Sequence, residues 1–151
     1  MNGNVQAKKL AQELASGIVI LLKACKKKWK YEELSEVEKS GLVPATLYFL
    51  VDGSKIIGSI HFRYQLNDYL EKYGGHIGYG VRPSERRKGY GKIMLGMLLD
   101  IIRRQAYKKI LVTCDDTNIA SIKTIESNGG KLENVIEEDG KMKRRYWIVL
   151  A

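Results

Sequence analysis

A chain of 151 residues, 44% of them hydrophobic and only 2 of them prolines, can form one domain with a full apolar core, and this composition argues against disorder. Two cysteines, Cys25 and Cys114, are too few for a disulfide framework, and the apolar run over 18–22 is too short to span a membrane. We therefore expect a single cytoplasmic domain over 1–151, with reduced thiols, no signal peptide and no membrane partner. The formal net charge of +9 favours anionic partners.

The first half of the chain is expected to contain two helices and a β-hairpin. Apolar residues at helical spacing predict a helix over 5–28, and a second, shorter helix is expected over 31–39. The β-formers of 46–51 and 56–62 flank Asp52-Gly53-Ser54, which predicts a hairpin.

Strands and helices alternate in the second half. The expected elements are strands over 76–81, 109–114 and 146–150, a helix over 92–105, and a further helix that begins near Asn118. Together with the hairpin, this order predicts a single-domain α/β fold, in which a mixed sheet with antiparallel early strands is covered by helices on both faces.

The segment 81–92, between a strand and a helix, is the most informative part of the sequence. Pro83 blocks continuation of the strand. Gly89 and Gly91 have no Cβ atoms, so the backbone amides around them can approach a bulky anion. The free amides of the following helix, and the positive end of its dipole, face the same loop. Together these features predict a phosphate cradle.

The spacing within this loop distinguishes between kinds of phosphate ligand. A P-loop would need Gly at Arg86 and Ser or Thr at Ile93, and the dinucleotide fingerprint would need Gly at Met94. What fits is Arg/Gln-x-x-Gly-x-Gly/Ala, here Arg86-Arg87-Lys88-Gly89-Tyr90-Gly91. In this motif the chain resembles the coenzyme A pyrophosphate loop of the GNAT family of N-acetyltransferases.

A second motif agrees with the resemblance. The strand over 109–114 leads to Asn118-x-x-Ser121, and Asn128-Gly129-Gly130 stands where an acetyltransferase usually has Gly-Phe. The order and spacing of the two motifs are similar to the family over about residues 42–150. Three further segments, Gly74-Gly75-His76-Ile77-Gly78-Tyr79, Arg82-Pro83-Ser84-Glu85-Arg86 and Ser127-Asn128-Gly129-Gly130, are similar to a bacterial subgroup of predicted acetyltransferases.

The resemblance implies an acyltransferase that moves an acetyl group from acetyl-CoA, its co-substrate, to a primary amine by direct attack in a ternary complex. It also implies a splayed parallel pair of strands ending near Val81 and Cys114, where the pantetheine enters, and a backbone amide of the Val81 strand that polarises the thioester carbonyl. The acceptor would be a small-molecule or peptide amine, and the resemblance is compatible with a homodimer. The implied coenzyme-binding residues are Val81, Arg86, Arg87, Lys88, Gly89, Tyr90, Gly91, Lys92, Asn118 and Ser121.

The catalytic groups follow the family less closely. The family often places a general acid, a Tyr, seven residues after the Asn, where this chain has Ile125. His76 is the candidate general base, because an imidazole titrates near pH 6.5; the alternative is a strand-edge His hydrogen-bonded to the Gly74-Gly75 turn. His61 either lines the pocket or is simply exposed, and Tyr79 and Tyr90 are interpreted as packing residues or loop anchors rather than acids. The His and Cys residues lack metal-ligand spacing, so no metal is expected.

Two other classes of function remain open. A domain that binds acetyl-CoA without catalysis would keep the 86–91 loop, and Ile125 in place of Tyr keeps this alternative open. Basic clusters such as 26–28, 103–104 and 143–145 raise the alternative of a nucleic-acid module. Because the clusters are scattered and no nucleic-acid motif accompanies them, we favour the enzyme over that module.

Overall fold

The computed structural model of the chain describes residues 19–23 and 43–150. Within these residues, one sheet of seven strands is accompanied by two α-helices and two short turns. The strands are β1 (Val19–Lys23), β2 (Ala45–Asp52), β3 (Lys55–Arg63), β4 (Ile77–Val81), β5 (Lys109–Asp115), β6 (Lys131–Glu138) and β7 (Lys141–Val149). The helices are α1 (Tyr90–Ile102) and α2 (Ile119–Ser127), with a π-helical turn over Leu70–Gly74 and a 3-10 turn over Pro83–Glu85.

The early strands form the antiparallel part of the sheet. Strands β2 and β3 pair antiparallel from Ala45↔Arg63 to Asp52↔Lys55, which confirms the predicted hairpin. Gly53 has a φ of 60° between them, a backbone conformation that glycine adopts without strain. Strand β4 continues the antiparallel order on the other side of β3.

The helix predicted over 5–28 is wrong at 19–23, where the chain forms strand β1 and pairs antiparallel with β2. The apolar residues of this segment are compatible with a buried strand as well as with the apolar stripe of a helix. Pairing with a neighbouring strand overrides the local propensity for helix. The other residues of that predicted helix, and the helix predicted over 31–39, lie outside the described residues.

The centre of the sheet confirms the expected parallel pair. The strand order is β1-β2-β3-β4-β5-β7-β6, and β4 and β5 pair in parallel only at Ile77↔Val112. Beyond this pair the two strands diverge toward their carboxyl ends. A gap therefore opens in the sheet beside the 81–92 loop.

One apolar core lies between the sheet and the two helices, with Ile77 and Val112 among its strand residues. Helix α2 contributes Ile122 and Ile125. Neither helix is long and apolar enough to cross a membrane, and the described residues contain no other that is. The buried side chains of α1 are Met94, Leu95, Leu98, Leu99 and Ile102.

The chain ends in a hairpin of which the sequence predicted only the last part. Strand β6 was missed, and β7 begins five residues before the predicted strand over 146–150. As an edge strand, β6 is exposed along most of its length, so it lacks the apolar alternation that marks a half-buried strand. The signal that identifies it is the turn Asp139-Gly140, whose φ angles of 48° and 78° suit a two-residue hairpin loop.

Candidate functional site

A cavity of about 660 Å³ opens at the gap between β4 and β5. Its walls are the end of β4, the 81–92 loop and the first turns of α1 and α2. The lining includes eight of the ten predicted coenzyme-binding residues, namely Val81, Arg86, Arg87, Gly89, Gly91, Lys92, Asn118 and Ser121.

The backbone of β4 presents polar groups to this gap. The N–H of Arg82, directly after β4, donates to the carbonyl of Ile57 in β3 at 2.8 Å. The backbone groups of Arg82 therefore face β3. Backbone polar groups alternate in direction along a strand, so those of Tyr79 and Val81 face the gap. The Val81 carbonyl accepts a hydrogen bond of 3.0 Å from Nε of Arg86. The Arg86 side chain is thereby held at the mouth of the gap.

The glycine loop leaves open space in front of its amides. Gly89 precedes α1 with a φ of 82°, and Arg87 also has a positive φ, of 62°. A Cβ added at Gly89 would meet no atom within 4 Å, so the volume before the loop is empty. The first-turn amides of α1 face this volume, which fits a phosphate group.

Charge along the cavity is predominantly positive, with Arg86, Arg87, Lys92 and Lys123 on its walls. Lys123 was missed by the sequence analysis. It lies one helical turn after Ala120 on α2, and because Ala120 was not predicted as a wall residue either, the sequence carried no signal for Lys123.

Among the described residues, Glu85 is the one acidic residue on the cavity wall, and it is 4% exposed. Its carboxylate pairs with Lys55 and, at 3.0 Å, with Lys88. Hydrogen bonds from these two lysines hold the pKa of Glu85 below its ordinary value. The structure therefore turns the Lys88 ammonium toward Glu85 and does not bring it to the cavity lining.

Tyr90 is likewise not a lining residue. Its hydroxyl donates to Oδ2 of Asp52 at 2.9 Å, which ties the first residue of α1 to the end of β2. This hydrogen bond raises the pKa of the Tyr90 phenol. The coenzyme-binding roles of Lys88 and Tyr90 stay predictions.

Asn118 caps α2 and lines the cavity at once. Its Oδ1 accepts a hydrogen bond of 3.1 Å from the backbone N–H of Ser121, as an N-cap does. The cap uses the side-chain oxygen, while Nδ2 keeps two N–H donors that can bond the amides of a ligand.

The position of the family's usual acid is closed to the cavity. Ile125 is fully buried among core residues. Tyr79, in contrast, lines the cavity, and its hydroxyl is buried without a hydrogen-bond partner among the described residues. The side chains of Ser121 and Thr124 lie beside this hydroxyl, and burial is the main cause that raises the pKa of the phenol.

The structure places His76 outside this cavity. The backbone N–H of Leu111 donates to Nδ1 of His76 at 2.9 Å, in place of the bond to the Gly74-Gly75 turn that was the alternative. The ring stacks on Phe62 with centroids 6.1 Å apart, and burial lowers the pKa of the imidazole. Because Nδ1 is engaged as an acceptor, a base at His76 would have to break this bond; its catalytic role stays a prediction.

His61 of β3 pairs with Gly78 of β4. The His61 imidazole packs over Gly78, in the space that a Cβ at position 78 would occupy. Burial, followed by the positive charge of Arg63, lowers the pKa of this imidazole. Cys114 is buried, and burial raises the pKa of its thiol to about 11. No cluster of three or more His, Cys, Asp or Glu side chains that could hold a metal ion occurs in the described part of the chain.

Comparison with known proteins gives one family and a set of structural neighbours. The sequence model of the acetyltransferase (GNAT) family matches residues 17–129. No curated protein sequence matches the chain.

Three solved structures illustrate the similarity of fold. The ribosomal-protein-S5-alanine acetyltransferase from Vibrio fischeri is 20% identical, with a TM-score of 0.60 over 78% of this chain and 67% of that one. Mutant forms of the spermidine/spermine N-acetyltransferase SpeG from Vibrio cholerae are 15% identical, with a TM-score of 0.62 over 88% and 95%. The yncA protein from Salmonella typhimurium, solved with acetyl-CoA, is 16% identical, with a TM-score of 0.57 over 97% and 87%. At these identities the likeness is one of fold.

Proposed function

Because the chain belongs to the acetyltransferase (GNAT) family, a family of acyltransferases, we propose that it transfers an acetyl group from acetyl-CoA to a primary amine by direct attack in a ternary complex. The observation that carries this proposal is the cavity at the gap between β4 and β5. It brings together a glycine loop, four cationic side chains and the Asn118 amide. Coenzyme A carries phosphates that suit the loop and pantetheine amides that suit Asn118.

The loop end of the cavity holds the phosphates. Backbone amides at Gly89, Gly91 and the first turn of α1 donate to the pyrophosphate, where the helix dipole adds to the attraction. Arg86 and Arg87 supply positive charge at the same end. The pantetheine then runs along β4 and pairs with backbone groups that no neighbouring strand uses.

The chemistry needs an electrophile, a neutral amine and a donor for the oxyanion. The amine nitrogen attacks the thioester carbonyl carbon, and negative charge develops on the carbonyl oxygen. The backbone N–H groups of Tyr79 and Val81 face the gap and can stabilise this charge. Direct attack is favoured over an acetyl-enzyme intermediate on Cys114. The thiol of Cys114, with its raised pKa of about 11, is protonated near neutral pH and is a poor nucleophile.

The acceptor is a neutral or anionic amine, such as an amino acid or a peptide terminus. A net charge of +9 repels polycations at long range, and the cavity walls carry the same sign. Polyamines and aminoglycosides are therefore the disfavoured classes.

The test is a screen for free-thiol release from acetyl-CoA, across amino acids, peptides, polyamines and aminoglycosides at two salt concentrations. We expect release with neutral or anionic amines. Fast turnover confined to polycations would overturn the acceptor class and leave the acetyl transfer standing. Absence of acetyl-CoA binding would overturn the function itself.

A second candidate is an acetyl-CoA-binding domain without catalysis, which the buried Ile125 at the usual acid position favours. This alternative predicts tight binding of acetyl-CoA in calorimetry and no thiol release with any amine of the panel.

A further inference from the structure

The Tyr79 hydroxyl is a buried polar group that the described residues do not satisfy. It is buried and makes no hydrogen bond among the described residues, although Ser121 and Thr124 lie beside it. Most buried polar atoms in proteins have a partner, and one that lacks a partner at a cavity wall points to a bound group that supplies it. Tyr79 lines the cavity, and so do Ser121 and Thr124, the two residues beside its hydroxyl, so the hydroxyl lies next to the ligand space.

Tyr79 also lies at the closed end of the gap. Strands β4 and β5 pair at Ile77, and the gap widens from there toward the glycine loop. Tyr79 comes two residues after Ile77 and two before Val81, which is about 7 Å along the strand from each. If the coenzyme phosphates bind at the glycine loop, the pantetheine follows β4 away from the loop. The coenzyme sulfur then points toward the closed end of the gap.

We propose that the Tyr79 hydroxyl donates a proton to the coenzyme sulfur when the thioester breaks, which supplies the acid that Ile125 cannot. This inference rests on the proposed acetyl transfer and assigns its leaving-group step. It also replaces the interpretation of Tyr79 as a packing residue.

The step balances without any further reactant. The new N–C bond has formed, the C–S bond breaks, and its electron pair remains on sulfur. The Tyr79 proton passes to sulfur and gives the free thiol of coenzyme A. The phenolate then recovers a proton from the positively charged nitrogen of the product through water, and no atom is oxidised or reduced.

The surroundings of Tyr79 suit this role. Burial raises the pKa of the phenol, so the hydroxyl remains protonated and available as a donor at neutral pH. Of the other buried titratable groups near the gap in the described residues, Glu85 is paired with Lys55 and Lys88, and neither His76 nor Cys114 lines the cavity. Tyr79 is thus a buried group that lines the cavity and carries a proton at neutral pH.

The test needs no acceptor, because the product coenzyme A can be titrated in its bound form. A thiol ionises at a pKa of about 8.5, so the affinity measured at about pH 7 is that of the thiol form of coenzyme A, and the affinity at about pH 9.5 is that of the thiolate form. A hydroxyl that donates to sulfur stabilises the thiolate. We expect Tyr79→Phe to weaken coenzyme A binding at the higher pH by about three-fold or more. The substitution should also raise the pKa of the bound thiol, which is measured from the ultraviolet absorbance of the thiolate.

Two controls make the result specific to sulfur and to this residue. Desulfo-coenzyme A should bind Tyr79→Phe and wild type equally at both pH values. Tyr107→Phe removes a phenol that donates to the Tyr64 carbonyl outside the cavity, and should leave the thiol pKa unchanged. The melting temperature of Tyr79→Phe should not fall, because the lost hydroxyl has no hydrogen-bond partner in the part of the chain that the structure describes.

The outcomes separate the two proposals. If wild type binds neither coenzyme A nor its desulfo analogue, the proposed function fails. If both bind and the thiol pKa is the same in wild type and Tyr79→Phe, the acetyl transfer stands and the Tyr79 assignment is overturned. Once an acceptor is known, Tyr79→Phe should lower kcat by at least about ten-fold with little change in the KM for acetyl-CoA.

Discussion

His76 and Leu111 are joined by two hydrogen bonds where the parallel strands meet. The Leu111 N–H donates to Nδ1 of His76 at 2.9 Å, and the His76 N–H donates to the Leu111 carbonyl at 2.8 Å. Because Nδ1 accepts, the proton of the neutral imidazole is on Nε2. The side chain thus acts as part of the β4–β5 ladder immediately before the gap opens.

Replacing His76 should therefore affect stability. In His76→Ala the buried Leu111 N–H loses its acceptor, and we expect a loss of about 1–3 kcal/mol in the free energy of unfolding, measured by denaturant titration. His61→Ala is the matched control, since His61 is more exposed and should cost less. An equal or smaller loss for His76→Ala would contradict the ladder role. Unaltered turnover and pH–rate profile in this variant would exclude the predicted role of His76 as base.

The same imidazole predicts a pH dependence of stability. Burial lowers the pKa of His76 in the folded protein, so the neutral form favours folding. Its contribution is present above the unfolded-state value of about 6.5 and is lost as the pH falls through the folded-state value. The stability difference between wild type and His76→Ala should be larger at about pH 8 than at about pH 5. A difference that grows on acidification would contradict this assignment.

Lys123 is expected to contribute to coenzyme affinity. Lys123→Gln removes a positive charge from the cavity wall and should weaken acetyl-CoA binding by about three- to ten-fold at low salt, with a smaller effect at high salt. Lys131→Gln changes the same charge on β6, outside the cavity, and is the control. Similar losses in the two variants would show that only overall charge matters.

Restoring a tyrosine at position 125 should not restore an acid. The Ile125 side chain is fully buried in the core and lies against Gly130, so Ile125→Tyr overpacks this region. We expect a loss of about 1–3 kcal/mol in stability by thermal or denaturant unfolding. Ile119→Tyr, on the exposed side of the same helix, should stay within about 0.5 kcal/mol. Faster thiol release in Ile125→Tyr would contradict the inward orientation.

The conformation of the 81–92 loop was predictable because its signals are local. Glycines at fixed spacing and an Asn before a helix determine backbone conformation within a few residues, and both motifs meet at one cavity. Contacts that arise only on folding were not predictable. The Glu85–Lys88 pair and the Tyr90–Asp52 hydrogen bond withdraw two predicted ligands from the cavity lining.

The wrong and missed elements also have physical reasons. The apolar segment 19–23 fits a helix or a strand by its own pattern, and the partner β2 decides for the strand. Strand β6 is an exposed edge whose polar residues give no periodic signal. Tyr79 was interpreted as packing, because nothing in the sequence shows that its hydroxyl is buried without a partner.

Calorimetric titration of acetyl-CoA into wild type, Gly89→Val and Gly140→Val tests the central claim most directly. Gly89 and Gly140 have similar positive φ angles, 82° and 78°, with open space around each, but only Gly89 borders the cavity. A valine at either position carries the same backbone strain, and at Gly89 it also stands in front of the phosphate-binding amides. The account predicts affinity weaker by at least about ten-fold, or roughly 1.4 kcal/mol, in Gly89→Val, and near wild type in Gly140→Val. Equal affinity in all three proteins would contradict it.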